Sequence, residues 1–401
     1  MQNNETSNTL AVHPLFKGGL EGLLETFLTE LKTIAKDQGV LLFFAFLPLA
    51  YPLIYSWIYT NEVVRDVPVV LVDDSHSALS REFARKFDAS PDVAIAYQCR
   101  SIAEAKDVIG HGKAYGVLYF PADFQEKNGR MEQTHVSVYC DMSYMLTYKA
   151  IFQTATTISG EMGAELQKQM LGKYTEREEQ IGTKPLDFDD VPIFNVTGGY
   201  GNFILPAVLV LIIQQAIALG VGMLAGTERE KRFANYKGKN PAAILTGKTL
   251  AVGCIFSVML AWITLVVPHI FGFVSMVHGW DLLRFLTPYL LACIFFSICI
   301  SELVHYRESV ILVVVFSSII LLFLSGISWP MSAVPPFWEG VASIFPSTNA
   351  IRGFVRMSSM GALLPDVAPE YHRLWFQTVI YAILALLVIW RRTKVASCES
   401  E

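Results

Sequence analysis

The strongest constraint on the fold is a set of long segments that contain no charged residue. Six such segments occur, each 17 to 28 residues long: residues 40–59, 203–226, 249–276, 285–301, 309–328 and 374–390. A helix of about 17–25 apolar residues is long enough to cross the roughly 30 Å hydrocarbon core of a bilayer. One 17-residue segment could be a core helix of a soluble protein, but six in one chain are typical of a membrane protein. The sequence therefore predicts a polytopic α-helical membrane protein with six transmembrane helices.

Composition excludes other classes. Of the 401 residues, 53% are hydrophobic and 17% are charged, whereas soluble domains carry about a quarter charged residues. This argues against a cytosolic globular enzyme and against a disordered chain. The formal net charge of −5 offers no basic surface, so no nucleic acid partner is expected.

The positive residues predict the orientation. With the N-terminus in the cytoplasm, the short cytoplasmic segments carry 13 Lys and Arg residues and the short outer loops carry 3. Arg373, at a membrane boundary, and the long insert after the first span are left out of this comparison. Because Lys and Arg are retained on the cytoplasmic side, we expect a location in a bacterial inner (cell) membrane with both termini in the cytoplasm.

The spans divide the chain into five parts. Residues 1–39 are predicted as a cytoplasmic amphipathic helix, 40–60 as the first span, 61–202 as an extracytoplasmic α/β domain, 203–390 as spans two to six, and 391–401 as a cytoplasmic tail. In the insert, strand-like segments at 67–72, 93–97, 114–120 and 135–139 alternate with helical ones, and a long helix follows at 142–174. The N-terminal helix serves either as a plain membrane anchor or as a lever that also contacts a cytoplasmic partner.

No catalytic or cofactor site is evident. Residues 242–249 end in Gly247-Lys248-Thr249, as a Walker A loop does, but Ala242 replaces the opening glycine that the phosphate cradle requires. We therefore expect Lys248 to be an interfacial anchor. The histidines lack metal-ligand spacing, so no metal and no cofactor are predicted. Without a cluster of acid, base and nucleophile, the chain is not expected to be an enzyme.

Two cysteines, Cys99 and Cys140, lie in the predicted outer domain, where an oxidising environment permits a disulfide. Two free thiols are the favoured alternative, because the sequence does not give the geometry of the pair.

Polar residues next to or within the apolar segments are the candidate functional residues. Gln214 and Gln215 lie in the middle of the second span, where they either form interhelical hydrogen bonds or line a translocation path. The loop after that span carries the set Glu228, Arg229, Glu230, Lys231 and Phe233. This loop is either a solvated positive-inside loop or a short element that docks on a partner, with Phe233 and Tyr236 as anchors.

A third candidate element follows the fifth span. It contains two tryptophans and several helix-breaking residues: Gly326, Trp329, Pro330, Pro336 and Trp338. Short amphipathic segments at 340–345 and 350–357 are too short to cross a bilayer. We expect the region near 329–357 to form outer re-entrant helices with the tryptophans at the interface.

In this order of elements the chain resembles a permease subunit of the ABC type-2 exporters. Three stretches carry the resemblance: residues 71–81, a strand with an acidic turn and a Ser-Arg helix start; residues 116–124, a strand ending in Pro-x-Asp-Phe; and residues 324–336, a Leu-Ser-Gly…Pro…Pro element. One departure is the loop after the second span, where Gly226-Thr227 precedes the charged run that relatives place before the Gly-Thr.

The resemblance implies a separate cytoplasmic ABC ATPase subunit and a second permease half, identical or different. It implies that the N-terminal helix and residues 228–233 receive the motion of the ATPase. Lipid-like or amphiphilic drug-like cargo, moved outward, suits an uncharged pathway among membrane lipids, and the outer domain would gate the exit or meet a periplasmic adaptor. The alternative is a non-transporting membrane scaffold or receptor whose outer domain binds an extracytoplasmic partner; six spans are more than such an anchor requires.

Overall fold

A computed structural model of the protein describes residues 14–171, 193–196, 198–303 and 306–398. The first 13 residues of the predicted N-terminal segment, residues 172–192 of the predicted insert and the last three residues of the predicted tail lie outside this range. The chain divides into two compact units. One comprises Met1–Glu62 and Ile193–Glu401, and the other comprises Val63–Pro192.

The first unit is helical. Its helices are α1 (Pro14–Lys36), α2 (Gln38–Ile58), α7 (Tyr200–Glu230), α8 (Pro241–Phe271), α9 (Gly279–Ile300), α10 (Ser309–Leu324), α11 (Pro336–Ala342), α12 (Pro346–Met360) and α13 (Ala368–Cys398). Within the described residues, five helices are long and apolar enough to cross a membrane: α2, α7, α8, α9 and α13. Together with the turn before it, α13 forms the candidate span Leu364–Ser397.

Helix α10 is the shortest of the predicted spans. Its 16 residues are strongly apolar, yet at about 1.5 Å per residue they reach only about 24 Å. Ser325 and Gly326 end the helix, and Gly326 takes a φ of +89°, which a glycine adopts without strain. The count of six spans that the sequence predicts thus depends on this helix.

Helix α7 is the centre of the unit. Of its most apolar 18-residue stretch, 94% of the residues are buried. Two glycines permit close packing, because a Cβ atom at Gly220 would lie 1.8 Å from the Phe44 ring on α2 and one at Gly222 would lie 2.6 Å from Val310 on α10. Interiors of proteins are close-packed, so these glycines bring α2 and α10 against the central helix.

The α11–α12 hairpin enters the bundle. The Ser347 N–H, in the first turn of α12, donates to Gln214 Oε1 on α7 at 2.8 Å. At the other end of α12, the Met276 N–H donates to the Ser358 carbonyl, close to Asn202, whose Oδ1 accepts from the Val274 N–H. Gln214 lies 12 residues beyond Asn202, about 18 Å along α7. Helix α12 therefore begins about halfway along the bundle and runs to one end of it.

The second unit contains a mixed sheet with helices on both faces. Its described strands are β1 (Val67–Asp73), β2 (Val93–Gln98), β3 (Gly116–Phe120) and β4 (Ser137–Cys140), and its helices are α3 (Ala78–Asp88), α4 (Ile102–Gly110), α5 (Phe124–Gly129) and α6 (Met145–Leu171). Among the described residues the strand order is β2-β1-β3-β4, with β1 parallel to both neighbours and β4 antiparallel to β3.

Two of the stretches that carry the family resemblance have structural roles in this sheet. After β1, Asp73 Oδ1 accepts from the N–H groups of Ser75 and His76, and its Oδ2 accepts from the Ser80 hydroxyl at 2.7 Å. Ser77 and Ser80 form a capping box that begins α3. After β3, the buried rings of Phe120 and Phe124 pack 5.2 Å apart. These two stretches therefore fix a turn, a helix cap and part of the core.

Candidate functional site

Buried charges meet where α1, α7, α8, α9 and α13 converge. Lys248 on α8 pairs through Nζ with the carboxylates of Glu30 on α1 and Glu228 on α7, and these three side chains are only 10–11% exposed. The Tyr236 hydroxyl donates to Glu228 at 2.7 Å. The prediction that Lys248 is an interfacial anchor is wrong, because this cation is enclosed by two carboxylates of its own chain.

Close helix packing places Glu30 against Lys248. Gly247 precedes Lys248, and a Cβ atom there would lie 2.8 Å from the Thr26 side chain of α1. Thr26, Glu30 and Ile34 form the buried face of α1, spaced four residues apart. Leu24 and Leu28 are exposed instead, so α1 turns a partly polar face to the bundle. Because Gly247-Lys248-Thr249 lies inside a helix, it also forms no phosphate-binding loop.

Arg392 and Glu302 form the second part of the site. Arg392, near the end of α13, is 3% exposed and donates through Nε to Glu302 at 3.2 Å and through Nη2 to Ser301 at 2.9 Å. Arg229 donates to the other oxygen of Glu302 at 2.6 Å. One carboxylate after α9 thereby joins the ends of α7 and α13.

Arg307 forms the third part. It pairs with Asp37, the N-cap of α2, and donates to the Thr227 hydroxyl at 3.0 Å. Burial alone would raise the pKa of Asp37, but hydrogen bonds from Arg307 and from the N–H groups of Val40 and Gly39 lower it. Asp37 thus remains ionised at neutral pH, and this pair fixes the corner between α1 and α2. We call these three groups together the charged junction.

Glu30 is the titratable member of the charged junction. Burial raises the pKa of its carboxyl to about 7, with Lys248 opposing the shift and Glu228 adding to it. Glu228, Lys248 and Arg392 also line the small cavity at Glu30. A carboxyl in this position changes protonation near neutral pH, which makes the contact between α1 and the bundle sensitive to pH.

The loop after α7 is folded back onto its own chain. Phe233 and Tyr236 are 8% and 1% exposed, and the Arg392 guanidinium lies 5.5 Å from the Phe233 ring centre. The expectation that these two rings anchor in a partner's groove is therefore wrong for this conformation. Arg232 and Phe233 have φ values of +48° and +54°, a costly backbone geometry for residues with side chains. This tight reversal buries Phe233 and leaves Glu230 and Lys231 exposed.

The two glutamines in α7 have different surroundings. Gln214 is 2% exposed and its Oε1 accepts from the Ser347 N–H, so it serves as an interhelical hydrogen-bond partner. Gln215 lines a cavity of about 380 Å³ together with Tyr51, Tyr55 and Ser318. Its Nε2 has no hydrogen-bond partner among the described residues. Only Gln215 of this pair faces a space that a ligand could occupy.

The candidate residues of the outer element lie around the α11–α12 hairpin. Gly326 turns the chain after α10, and Trp329 and Trp338 are 58% and 48% exposed. Pro336 begins α11. Pro330 lies in the exposed segment between α10 and α11, before a short 3₁₀ turn. The two tryptophans thus expose their rings beside the buried helix α12, and their location at a membrane interface stays a prediction.

The cysteines of the second unit do not form a disulfide. Cys99 and Cys140 are both free. Cys99 follows β2 and Cys140 ends β4, at opposite edges of the sheet. Three strand spacings separate these edges by about 14 Å, whereas a disulfide needs Cα atoms within about 7 Å. In the described part of the chain, no group of three or more His, Cys, Asp or Glu residues is placed to hold a metal ion.

Most of the charged junction is not evident from the sequence alone. Glu30, Asp37, Glu302 and Arg392 are not among the predicted site residues, although the last three of them lie within three residues of an apolar segment. Charges in that position are consistent with ordinary positive-inside loops as well as with a buried cluster. One signal for a buried charge is Lys248, which directly precedes an apolar segment of 28 residues. Gly247, the residue before it, is a signal for close helix packing at the same place.

Comparison with known proteins gives one family match. The family described as ABC-2 family transporter protein matches residues 39–387, which covers α2, the inserted unit and the helices up to α13. No curated protein sequence matches the chain.

Proposed function

The chain belongs to the ABC-2 transporter family, and from this premise we propose that it is the permease subunit of an ATP-driven exporter whose ATPase is a separate cytoplasmic chain. As a multi-pass membrane protein of this family it is a transport subunit and not itself the catalyst. The observation that carries the proposal further is the charged junction, which ties α1 and the loop after α7 to the apolar helices. A push on α1 or on this loop is transmitted directly to α7, α8, α9 and α13.

The exposed and buried residues of the loop have different roles. Glu230 and Lys231 are exposed and contact the ATPase. Phe233 is buried against Arg392, while Glu228 and Arg229 pair with Lys248 and Glu302. These three residues transmit motion into the bundle. This division keeps the coupling role that the sequence suggests for residues 228–233, but it separates docking from transmission.

Copurification tests this role. The protein is co-expressed with a candidate ATPase that carries Walker motifs, and the complex is reconstituted in vesicles for ATP hydrolysis and transport. We expect the double variant Glu230→Ala/Lys231→Ala to weaken copurification, and Phe233→Ala to retain it but lose transport-linked hydrolysis. Arg391→Ala, an exposed charge on α13, is the matched control. Absence of both ATPase binding and ATP-dependent transport would refute the proposal.

For the membrane topology we propose the arrangement that the sequence predicts. Six helices, α2, α7, α8, α9, α10 and α13, cross a bacterial inner membrane, with both termini in the cytoplasm and residues 61–202 outside. The apolar character of α10 supports its assignment as a span beside the five longer helices, since a short span is accommodated by thinning of the bilayer. Protease added to intact spheroplasts should cut within residues 61–202 and leave the N-terminus protected. The outer unit is then free to meet a periplasmic adaptor.

A second permease half completes the pathway. Helix α10 exposes a row of large apolar side chains, among them Leu312 and Phe316 at 62% and 67%. The cavity with Gln215 lies between α2, α7 and α10, so a second half placed on this face encloses it. Lipid-like or amphiphilic cargo suits this lining, in which tyrosines and one glutamine interrupt an apolar wall. Native mass spectrometry should show two permease chains, identical or different, in the assembled transporter.

A further inference from the structure

A second cavity, larger than the one at Gln215, lies between the α11–α12 hairpin and α13. Its volume is about 620 Å³, which falls in the range of small-molecule sites, about 300–1,000 Å³. Apolar residues form much of the wall, and six polar residues line it: Glu339, Ser343, Asn349, Arg373, Gln377 and Tyr381.

The cavity lies at the depth of the apolar part of the bundle. Gln377 is nine residues after the start of α13, about 14 Å along the helix. At the same level the Thr378 hydroxyl donates to the Pro288 carbonyl within α9 at 2.9 Å. Phe376 and Ile380 line the cavity and are 68% and 38% exposed. In a bilayer these side chains face lipid, so the cavity opens sideways toward the acyl chains.

Two residues that line this cavity have buried acceptor atoms without partners. Asn349 and Gln377 are 1% and 7% exposed, and Asn349 Oδ1 and Gln377 Oε1 have no hydrogen-bond partner within the described ranges. The orientation of the Gln377 amide is fixed, because its Nε2 donates to the carbonyls of Ser343 at 2.6 Å and Ile344 at 3.2 Å. An unsatisfied buried acceptor is unfavourable because it has lost its hydrogen bonds to water, and a ligand with N–H or O–H donors would restore them.

The charged residues at the cavity have opposite signs. Glu339 is a third acceptor, with a side chain 51% exposed, and Arg352 faces it at 4.0 Å from outside the lining. Arg373 is an exposed cation in the lining. A ligand that carries only a cation would be repelled by the two arginines, and one that carries only an anion would leave the three acceptors unmatched.

We propose that this cavity binds the headgroup of a zwitterionic amphiphile with a primary ammonium and a phosphate, while its acyl chains remain in the bilayer. The three N–H donors of a primary ammonium match Asn349 Oδ1, Gln377 Oε1 and the Glu339 carboxylate. The phosphate pairs with Arg373. This inference rests on the proposed transport function and narrows its cargo to lipids with this headgroup.

Lipid competition on the purified full-length protein tests the proposal. The protein in detergent is given equal amounts of phosphatidylethanolamine, phosphatidylcholine and phosphatidylglycerol with identical acyl chains, and native mass spectrometry counts the lipids retained. We expect phosphatidylethanolamine to be retained preferentially. Phosphatidylcholine has the same charges but no N–H donor, and phosphatidylglycerol has hydroxyl donors but no ammonium. A long-chain alkylammonium without phosphate is expected to compete poorly.

Variants locate the site. Glu339→Gln and Arg373→Gln change exposed side chains, and each should reduce the preference for phosphatidylethanolamine about threefold to fivefold. Asn349→Leu removes a buried acceptor and should reduce it about tenfold. Arg284→Gln, another exposed arginine in the chain, is the control and should have no effect. Thermal unfolding checks that each variant is folded.

The outcomes separate the two proposals. Equal retention of the three lipids, a preference for phosphatidylglycerol, or full competition by the alkylammonium would overturn the headgroup assignment. Unchanged preference in both Glu339→Gln and Arg373→Gln would overturn the location, even if Asn349→Leu fails to fold. Copurification with the ATPase is measured on the same preparations. Its persistence without any lipid preference would leave the transport function standing and refute only this inference.

Discussion

Replacing Lys248 should destabilise the protein more than any exposed charge does. Lys248→Met keeps most of the side-chain volume but leaves Glu30 and Glu228, both 10–11% exposed, without their shared cation. Removing one partner of a buried ion pair costs about 3–5 kcal/mol, because a buried charge remains uncompensated. At about 2 °C per kcal/mol for a large domain, this corresponds to a loss of roughly 6–10 °C in Tm.

Thermal unfolding in detergent, followed by intrinsic tryptophan fluorescence, measures this effect. Lys231→Met is the matched control, since Lys231 is exposed in the loop after α7 and its replacement should change Tm by no more than about 1 °C. In the double variant Glu30→Gln/Lys248→Met one of the two unpaired carboxylates is gone. We therefore expect it to recover part of the lost Tm, which would reveal coupling between α1 and α8.

Two results would refute this reasoning. If Lys248→Met and Lys231→Met have the same Tm, the cation is not buried between the carboxylates. If Glu30→Gln gives no recovery in the Lys248→Met background, Glu30 and Lys248 do not interact, and α1 is not held to the bundle by this contact.

Three further predictions concern other parts of the chain. The pKa of Glu30 is about 7 in the folded protein and 4.5 ordinarily, so the folded chain binds this proton more tightly; the resulting stabilisation is complete below pH 4.5 and is lost as pH rises through 7. Tm should therefore fall between pH 5 and 8, and Glu30→Gln should flatten this decline, with an unchanged slope contradicting the assignment. Gly220→Ala should lower Tm by several degrees, because its Cβ would lie 1.8 Å from an aromatic ring of α2. Gly253→Ala is the control and should raise Tm slightly, because the nearest neighbour of its Cβ would be 3.9 Å away. Equal effects of the two variants would show that α2 and α7 do not pack this closely. In the unfolded, unreduced protein, Cys99 and Cys140 should each react with a maleimide, and mass spectrometry counts the labels. If both residues stay unlabelled until a reductant is added, they form a disulfide, which would contradict this structure.

The elements of the fold were largely predictable because their signals are local. The length of the apolar segments marks α2, α7, α8 and α9. Short apolar segments and alternation of apolar with polar residues mark the strands of the insert. Proline and glycine near 326–346 marked the short helices after α10. The charged junction was not predictable in the same way, because Asp37 and Arg307 are 270 residues apart in the chain. The pairing of such residues depends on which helices become neighbours.

The sequence by itself determined that the chain is a mostly helical membrane protein, with strands between its first two apolar helices, because hydrophobic length and periodicity are properties of short segments. Only the tertiary structure decided that Lys248 is enclosed by two carboxylates and that Phe233 packs on Arg392. It also decided that Gln214 holds α12 while Gln215 faces a cavity. The physical reason is that a charge or an amide acquires its role from groups supplied by other helices, and the packing of those helices is set by contacts far apart along the chain.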